Sequence, residues 1–414
     1  MSDNLILASL DDPEALERLY RSDKEHFRLL LEKALDEHPN REVLKVWSAR
    51  LHYRPIQKDH STRPSIQFVL MLCVLAGGLA KLPAFLPIHG DWYYPRFIPF
   101  IIFGALIAYF FRRIDRKRIK IWLLLSMSGC LLILLFLPDN YHSASITMSL
   151  IHMPLVLVSL LAVGFTGAEW QSAQSRLSYI RYLGEILIYS SVILLGGIVL
   201  TLLTLGLFDL IGISIIDFYA QYIVVFGLMA APIVATYLYD SVLDRASKVA
   251  PLLSNVFAPL FLITVVVYLL AVLYQGKTPY SDRDFLIIFN GLLVVVWAIA
   301  VFSIAGSQVS YVRTITNTIN IALIATTLMI NSIALSAIIF RLSEYGITPN
   351  RVTVVGANTL IFIHLILILK AYAGYMRKGK RNDQLVNVVT NYLPVYFIWA
   401  LCVVIVLPLV FRFA

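Results

Sequence analysis

The sequence predicts an all-α fold: a polytopic membrane helical bundle of about eleven transmembrane helices, preceded by a small helical head. Three observations predict it. Of the 414 residues, 59% are hydrophobic and only 14% charged, with a mean hydropathy of +0.78; a water-soluble domain runs nearer to about 45–50% apolar and about 25% charged. Apolar runs of span length, about 20 residues each, recur from Ser65 onward. The charge is concentrated ahead of them, since residues 1–63 hold 11 basic and 12 acidic side chains. This composition excludes a secreted enzyme, a nucleic-acid-binding domain and a disordered scaffold.

The N-terminal segment has no basic stretch followed by an apolar core and a small-residue cleavage site, so a removable signal peptide is not expected. Residues 1–63 read as a cytoplasmic helical head. Asp12-Pro13-Glu14 supplies a cap, a proline at the first helical position and an early acid, and Ser22 with Glu25 has capping-box spacing. Leu16, Leu19, Tyr20, Phe27, Leu30, Leu31, Ala34 and Leu35 recur at helical spacing, Pro39-Asn40 interrupts, and Arg41 to Leu51 resumes. Two or three short amphipathic helices follow from this pattern.

Residues 64–414 read as the transmembrane domain. The apolar runs fall at 65–86, 97–111, 121–137, 145–165, 180–208, 214–238, 251–275, 285–307, 313–340, 352–376 and 390–412. The second and third are short for a core about 30 Å thick, and the fifth and ninth are long enough to tilt or protrude. Basic residues set the orientation: twenty, from Lys45 to Arg381, lie on the side of the head, including the cluster Arg112, Arg113, Arg116, Lys117, Arg118 and Lys120, against seven on the other. The positive-inside rule places the N-terminus in the cytoplasm and the C-terminus outside. The net charge of +9 is thus topogenic, and its clusters suit anionic lipid headgroups in the bilayer rather than nucleic acid.

Polar side chains at membrane depth are candidate functional groups. Taking about 100° per residue, Arg313, Asn317, Asn320, Thr327 and Asn331 of the ninth span share one arc, interrupted only by Ile324. The stripe reads either as the wall of a hydrated path or as hydrogen-bonding glue between helices. Glu185 follows Arg181 by one turn in the fifth span, where the two can neutralise each other or Glu185 can serve as a coupling carboxylate. Lys370 can snorkel, and His364 reads as a satisfied core histidine. The segment from Pro87 to Tyr94 reads as an outer loop in which His89 and Asp91 offer an acid/base or metal pair, against the simpler reading of an interfacial aromatic belt. The sequence has no P-loop, HExxH, GxSxG or dinucleotide turn, and Cys73, Cys130 and Cys402 show no ligand or disulfide spacing. No catalytic residue, metal or cofactor is therefore expected.

Between the ninth and tenth spans the chain reads Arg341, Leu342, Ser343, Glu344, Tyr345, Gly346, Ile347, Thr348, Pro349, Asn350, Arg351. Gly346 suits the left-handed position that ends a helix, and Thr348-Pro349 suits the cap and first position of the next, so a tight outer elbow is expected, with Arg341, Glu344 and Arg351 as an ion network around it. This elbow resembles the mark of a family of bacterial inner-membrane proteins known as a domain of unknown function: Tyr345, Gly346, Ile347, Thr348, Asn350 and Arg351 match in order. Pro259-Leu260, Tyr268, Tyr274 and Asp282-Arg283-Asp284 are similar too, so the likeness spans about residues 250–370. The resemblance implies residence in a bacterial inner membrane and adds no reaction.

Three functions are consistent with these readings. The first is transport or permeation of a small solute, ion or lipid along the ninth span; the second is a membrane scaffold or signalling component whose head, residues 1–63, engages a protein partner; the third is an envelope lipid or glycan transferase built on Asp91. The orientation is directly testable. A reporter active only in the cytoplasm should be active when fused before Met1 and silent when fused after Ala414, and the reverse pattern would overturn the assignment.

Overall fold

The computed structural model describes residues 5–51, 64–140, 142–210, 214–243, 258–275, 283–306, 314–378 and 383–414. The chain divides into two compact units, Met1–Arg63 and Pro64–Ala414, and no strand occurs among the described residues.

In the first unit a single turn, Leu5–Ala8, precedes α1 (Pro13–Ser22), α2 (Lys24–Glu37) and α3 (Glu42–Leu51). Asp12 Oδ1 accepts from the backbone N–H groups of Glu14 and Ala15, both at 3.0 Å, and so starts α1. The expected capping box at Ser22 is not used. Ser22 ends α1 with its hydroxyl donating to the Leu19 carbonyl, and the next residue, Asp23, accepts from His26 N–H at 3.0 Å. A carboxylate is the stronger acceptor at a helix start, where the dipole favours negative charge. Ile6, Leu16, Phe27, Leu31, Ala34, Leu44 and Trp47 form the buried core of the unit. Tyr20, Phe27 and Trp47 meet ring to ring with centroids 4.9–5.6 Å apart. Arg50 covers the Tyr20 and Trp47 rings and, like Arg21, donates to Glu17 at 2.9 Å. The Arg21 and Arg50 guanidiniums hold the Glu17 carboxyl below its ordinary 4.5.

The second unit consists of α4 (Ile66–Ala80), α5 (Gly90–Phe111), α6 (Lys117–Phe136), α7 (Ala144–Thr166), α8 (Ala173–Leu210), α9 (Ile216–Val242), α10 (Ala258–Gln275), α11 (Arg283–Gly306), α12 (Thr314–Tyr345), α13 (Pro349–Lys378) and α14 (Asp383–Val410). Among the described residues nine of these are long and apolar enough to cross a membrane, and α4 and α10 carry shorter apolar segments. Large apolar side chains face outward along them: on α8 Leu187, Val192, Leu195, Ile198, Val199, Leu200, Leu202 and Leu203 are all more than half exposed. A surface of this kind is stable only against hydrocarbon. The chain is a multi-pass membrane protein.

Several expected boundaries move, among them the starts of α8 at Ala173 and α14 at Asp383. The segment read as an outer loop is largely helix: α5 begins at Gly90 and carries Pro95 and Pro99 inside it. Proline is tolerated in membrane helices because neighbouring groups take up the freed carbonyls, so here it does not mark a break. The third span likewise starts at Lys117, because its basic side chains belong to the first helical turn.

Packing divides the membrane unit into two sub-bundles. One is built on α4, α5, α6, α7 and α9 around Phe97, Tyr109, Phe110, Leu157, Tyr182 and Ile233. The other contains α11, α12 and α13 around Leu293, Ile304, Ile324, Leu365 and Ile368, with α10 packed beside them. The helices α8 and α14 belong to both: Tyr182 and Ala400 lie in the first core, Ile180 and Val389 in the second.

Helix ends are closed inside the protein. Ser65 and Ser143 cap α4 and α7. Arg96, buried on α5 and lying over the Trp92 ring, donates to the Leu137 and Pro138 carbonyls that follow α6, where a cation matches the helix dipole. Three π-helical turns lie within spans, at Tyr219–Val224, Leu238–Val242 and Cys402–Val406. In the last, the Val404 carbonyl accepts from Ser149 at 3.0 Å. Gly356 of α13 packs tightly against Trp399 of α14: a Cβ at Gly356 would overlap the indole ring.

This approach yields a prediction. Gly356→Val should sharply reduce the folded fraction and melting temperature in detergent, and Trp399→Leu in the same chain should restore much of the loss by clearing the space; unchanged melting of the single variant would show that the two helices can separate freely.

Candidate functional site

The stripe on α12 is buried. Asn317, Asn320, Thr327 and Asn331 are 7%, 1%, 1% and 2% exposed, and they cover about 21 Å along the helix axis at 1.5 Å per residue. Arg313 lies outside the described residues. Ile324, the interruption, is a core residue between α12 and its neighbours.

Polar groups of α11, α12 and α13 meet at several levels along this face. Nearest the start of α12, Asn320 Nδ2 donates to Ser303 Oγ of α11 at 2.7 Å and lies 3.4 Å from the Tyr372 hydroxyl of α13. About 16 Å further along α12 is Asn331, and toward the same end of the bundle Asn358 Nδ2 of α13 donates to Asn290 Oδ1 of α11 at 2.7 Å. Between the two levels Trp297 Nε1 donates to His364 Nδ1 at 3.0 Å, and the Tyr396 hydroxyl of α14 lies 2.9 Å from the same nitrogen. His364 stacks on Tyr392 with centroids 4.3 Å apart, so it is fixed on both faces of its hydrogen-bonding edge and on its ring.

The stripe is not fully paired. Asn331 makes no hydrogen bond through either Oδ1 or Nδ2; Thr327 Oγ1 and Asn320 Oδ1 also have no partner. The contrast with Thr326 is direct, because its hydroxyl folds back onto the Ala322 carbonyl at 2.8 Å, the usual resort of a threonine in an apolar helix. A buried polar group without a partner costs about 1–3 kcal/mol. Three such residues lie on one face of α12, and Trp399 Nε1 of α14 and His364 Nε2 of α13 are likewise buried without partners.

Glu185 is fully buried on α8. The expected self-neutralising pair does not use Arg181 in that way: Arg181 Nε donates to the Ala305 carbonyl at the end of α11, where the unsatisfied helix-terminal carbonyls compete for it. Tyr189, one turn on, is the hydroxyl that hydrogen-bonds Glu185.

A second polar centre, with no counterpart in the sequence reading, lies where α5 meets α9. Arg113 forms a two-pronged ion pair with Asp240, Nη1 to Oδ1 at 2.7 Å and Nη2 to Oδ2 at 2.5 Å, and the Tyr109 hydroxyl donates to Oδ2 at 2.9 Å. Asp240 sits on the π-helical turn Leu238–Val242 and is 4% exposed. Around it the rings of Phe110, Phe165, Tyr182 and Tyr239 pack edge to face and stacked, and the Tyr182 hydroxyl lies 2.9 Å from Thr236 Oγ1. Arg113 was explained by orientation alone, and its partner is 127 residues away.

The elbow between α12 and α13 closes on itself. Gly346 has φ +79, which a β-carbon disfavours, and Thr348 Oγ1 accepts from Arg351 N–H at 3.4 Å. Instead of joining an ion network, Arg351 donates Nη1 to the Tyr345 and Gly346 carbonyls at 2.8 and 2.7 Å and lies over the Tyr345 ring. It thereby closes the last turn of α12 as a cationic cap. Glu344 and Asn350 are exposed, and Arg341 is half-buried. Lys370 is exposed on the outside of α13, and His89 and Asp91 are exposed at the start of α5. Among the described residues no cluster of three or more His, Cys, Asp or Glu side chains is assembled.

Comparison of the chain with protein-family models, with curated proteins and with solved structures finds no match.

The ion pair is testable by halves. Removing one partner of a buried pair leaves a buried charge and costs about 3–5 kcal/mol, whereas replacing both by apolar residues is far milder. Arg113→Met should therefore lower the melting temperature steeply, and Arg113→Met with Asp240→Leu should recover most of it; equal losses in both would mean that Asp240 is held by other groups.

Proposed function

We propose that the protein transports or passes a small solute along the polar face of α12, between α11 and α13. One observation carries this reading: Asn331, Thr327 and Asn320 keep buried polar atoms without partners. Polar glue between helices is paired, as Asn290 and Asn358 are, because each amide is retained for the bond it makes. A translocation path is left incomplete for a passing guest, and sites of this kind lie near the bilayer midplane in transporters. The basic clusters and the elbow Tyr345–Arg351 support placing it in a bacterial inner membrane with the head in the cytoplasm. The self-contained core of the head suits a module that engages a protein partner, while anionic headgroups meet the basic connections.

The two roles of Asn331 separate in one variant. Asn331→Leu, which keeps the branched shape, should raise the melting temperature, since an unpaired buried amide is replaced by an apolar group. The same change should lower flux in proteoliposomes about tenfold. If the variant melts lower and transports normally, Asn331 is structural glue and the transport reading falls.

A further inference from the structure

The chemistry of the path selects among solutes. Between Phe285 and Gly306 of α11, between Thr314 and Phe340 of α12, and between Val352 and Leu369 of α13 there is no Asp, Glu, Lys or Arg. The first ionisable side chain beyond these stretches on α13, Lys370, is exposed on the outside of the helix. The polar groups on the face are amides and hydroxyls: Asn320 with Ser303 and Tyr372, Thr327, and Asn331. Among the described residues, Arg113, just past the end of α5, is paired with Asp240 of α9, and Arg181 of α8 donates to the Ala305 carbonyl at the end of α11, two residues from Ser303; Arg313 lies outside the described residues.

An ion taken out of water needs either an opposite charge or a full shell of oxygens. This face supplies neither, because its unpaired groups are spread along the helix, Thr327 about 10 Å and Asn331 about 16 Å from Asn320. Single donors and acceptors at such intervals match a guest that exchanges one or two hydrogen bonds at each step. Asn331 offers both a donor and an acceptor, and Thr327 a hydroxyl able to act as either.

Resting on the transport reading above, we infer that the α11–α13 path takes small uncharged hydrogen-bonding solutes, of the class of water, polyols and simple amides, and rejects inorganic ions. The lack of a fixed charge makes this selection, since the energetic penalty for a bare ion is not offset anywhere along the file. The one titratable group in the stretch, His364, is bound at Nδ1 to Trp297 and Tyr396 and stacked on Tyr392, and its buried Nε2, like the Asn331 amide, has no partner.

The test uses the full chain purified into vesicles. Stopped-flow light scattering reads water, glycerol and urea permeability, and ion-sensitive dyes read sodium, potassium and chloride in the same preparation. The expected result is solute permeability at least severalfold above protein-free vesicles with ion flux at background. Asn331→Leu and Thr327→Val should each reduce the solute permeability, and Lys370→Gln, on the exposed side of α13, should leave it unchanged. Ion flux with solute permeability at background overturns the substrate class and leaves transport standing. Absence of both fluxes overturns the transport reading together with this one. Solute permeability indifferent to both path variants, in chains that fold normally, removes the path from α12 and overturns the inference.

Discussion

Hydrocarbon offers a polar atom no partner, and most of the local structure of the membrane unit is an answer to that fact. Water would accept the end of α6 at no cost; in the bilayer the Leu137 and Pro138 carbonyls require Arg96 from the neighbouring helix. The same demand draws Arg181 to the Ala305 carbonyl and brings Ser149 to a carbonyl of the π-helical turn in α14, while in the exposed elbow Arg351 closes the last carbonyls of α12. In the membrane unit Arg96, Arg181 and Arg351 close the ends of helices.

Against that background the two polar centres differ in kind. At Asp240 every strong group is matched: the guanidinium meets both carboxylate oxygens, a phenol hydroxyl adds a third bond, and aromatic rings seal the surroundings. Such a centre locks α5 to α9, since neither partner can leave without exposing a charge to low dielectric. On α12 the groups are weaker, neutral and incompletely matched. A locked pair resists motion, and an incompletely matched face does not hold its neighbours in the same way.

How far this was legible depends on sequence distance. The amide face of α12 followed from the 100° step alone, because Asn317, Asn320, Thr327 and Asn331 share one helix and one arc. The elbow was equally local: a glycine that tolerates positive φ and a threonine before proline predict their own geometry. What failed was long-range or competitive. Arg113 belongs to a basic run that orientation already explained, and nothing in the chain links it to Asp240, although a lone aspartate at the end of an apolar span was a signal. Ser22 lost to Asp23 because the two are adjacent and the carboxylate is the better cap. Gly90 to Tyr94 read as part of a loop, yet they form the first turns of α5.

The polar character of α12 also governs how the chain is made. A helix with three buried asparagines partitions into lipid less readily than its neighbours, since each amide at the membrane centre opposes insertion. Its nearest helper is already in place: Ser303, the partner of Asn320, lies 17 residues upstream on α11, so the two helices can leave the translocation channel as a hairpin with that bond formed. Tyr372 and α13 arrive later. The order of synthesis thus matches the order in which Asn320 meets its two partners, Ser303 before Tyr372.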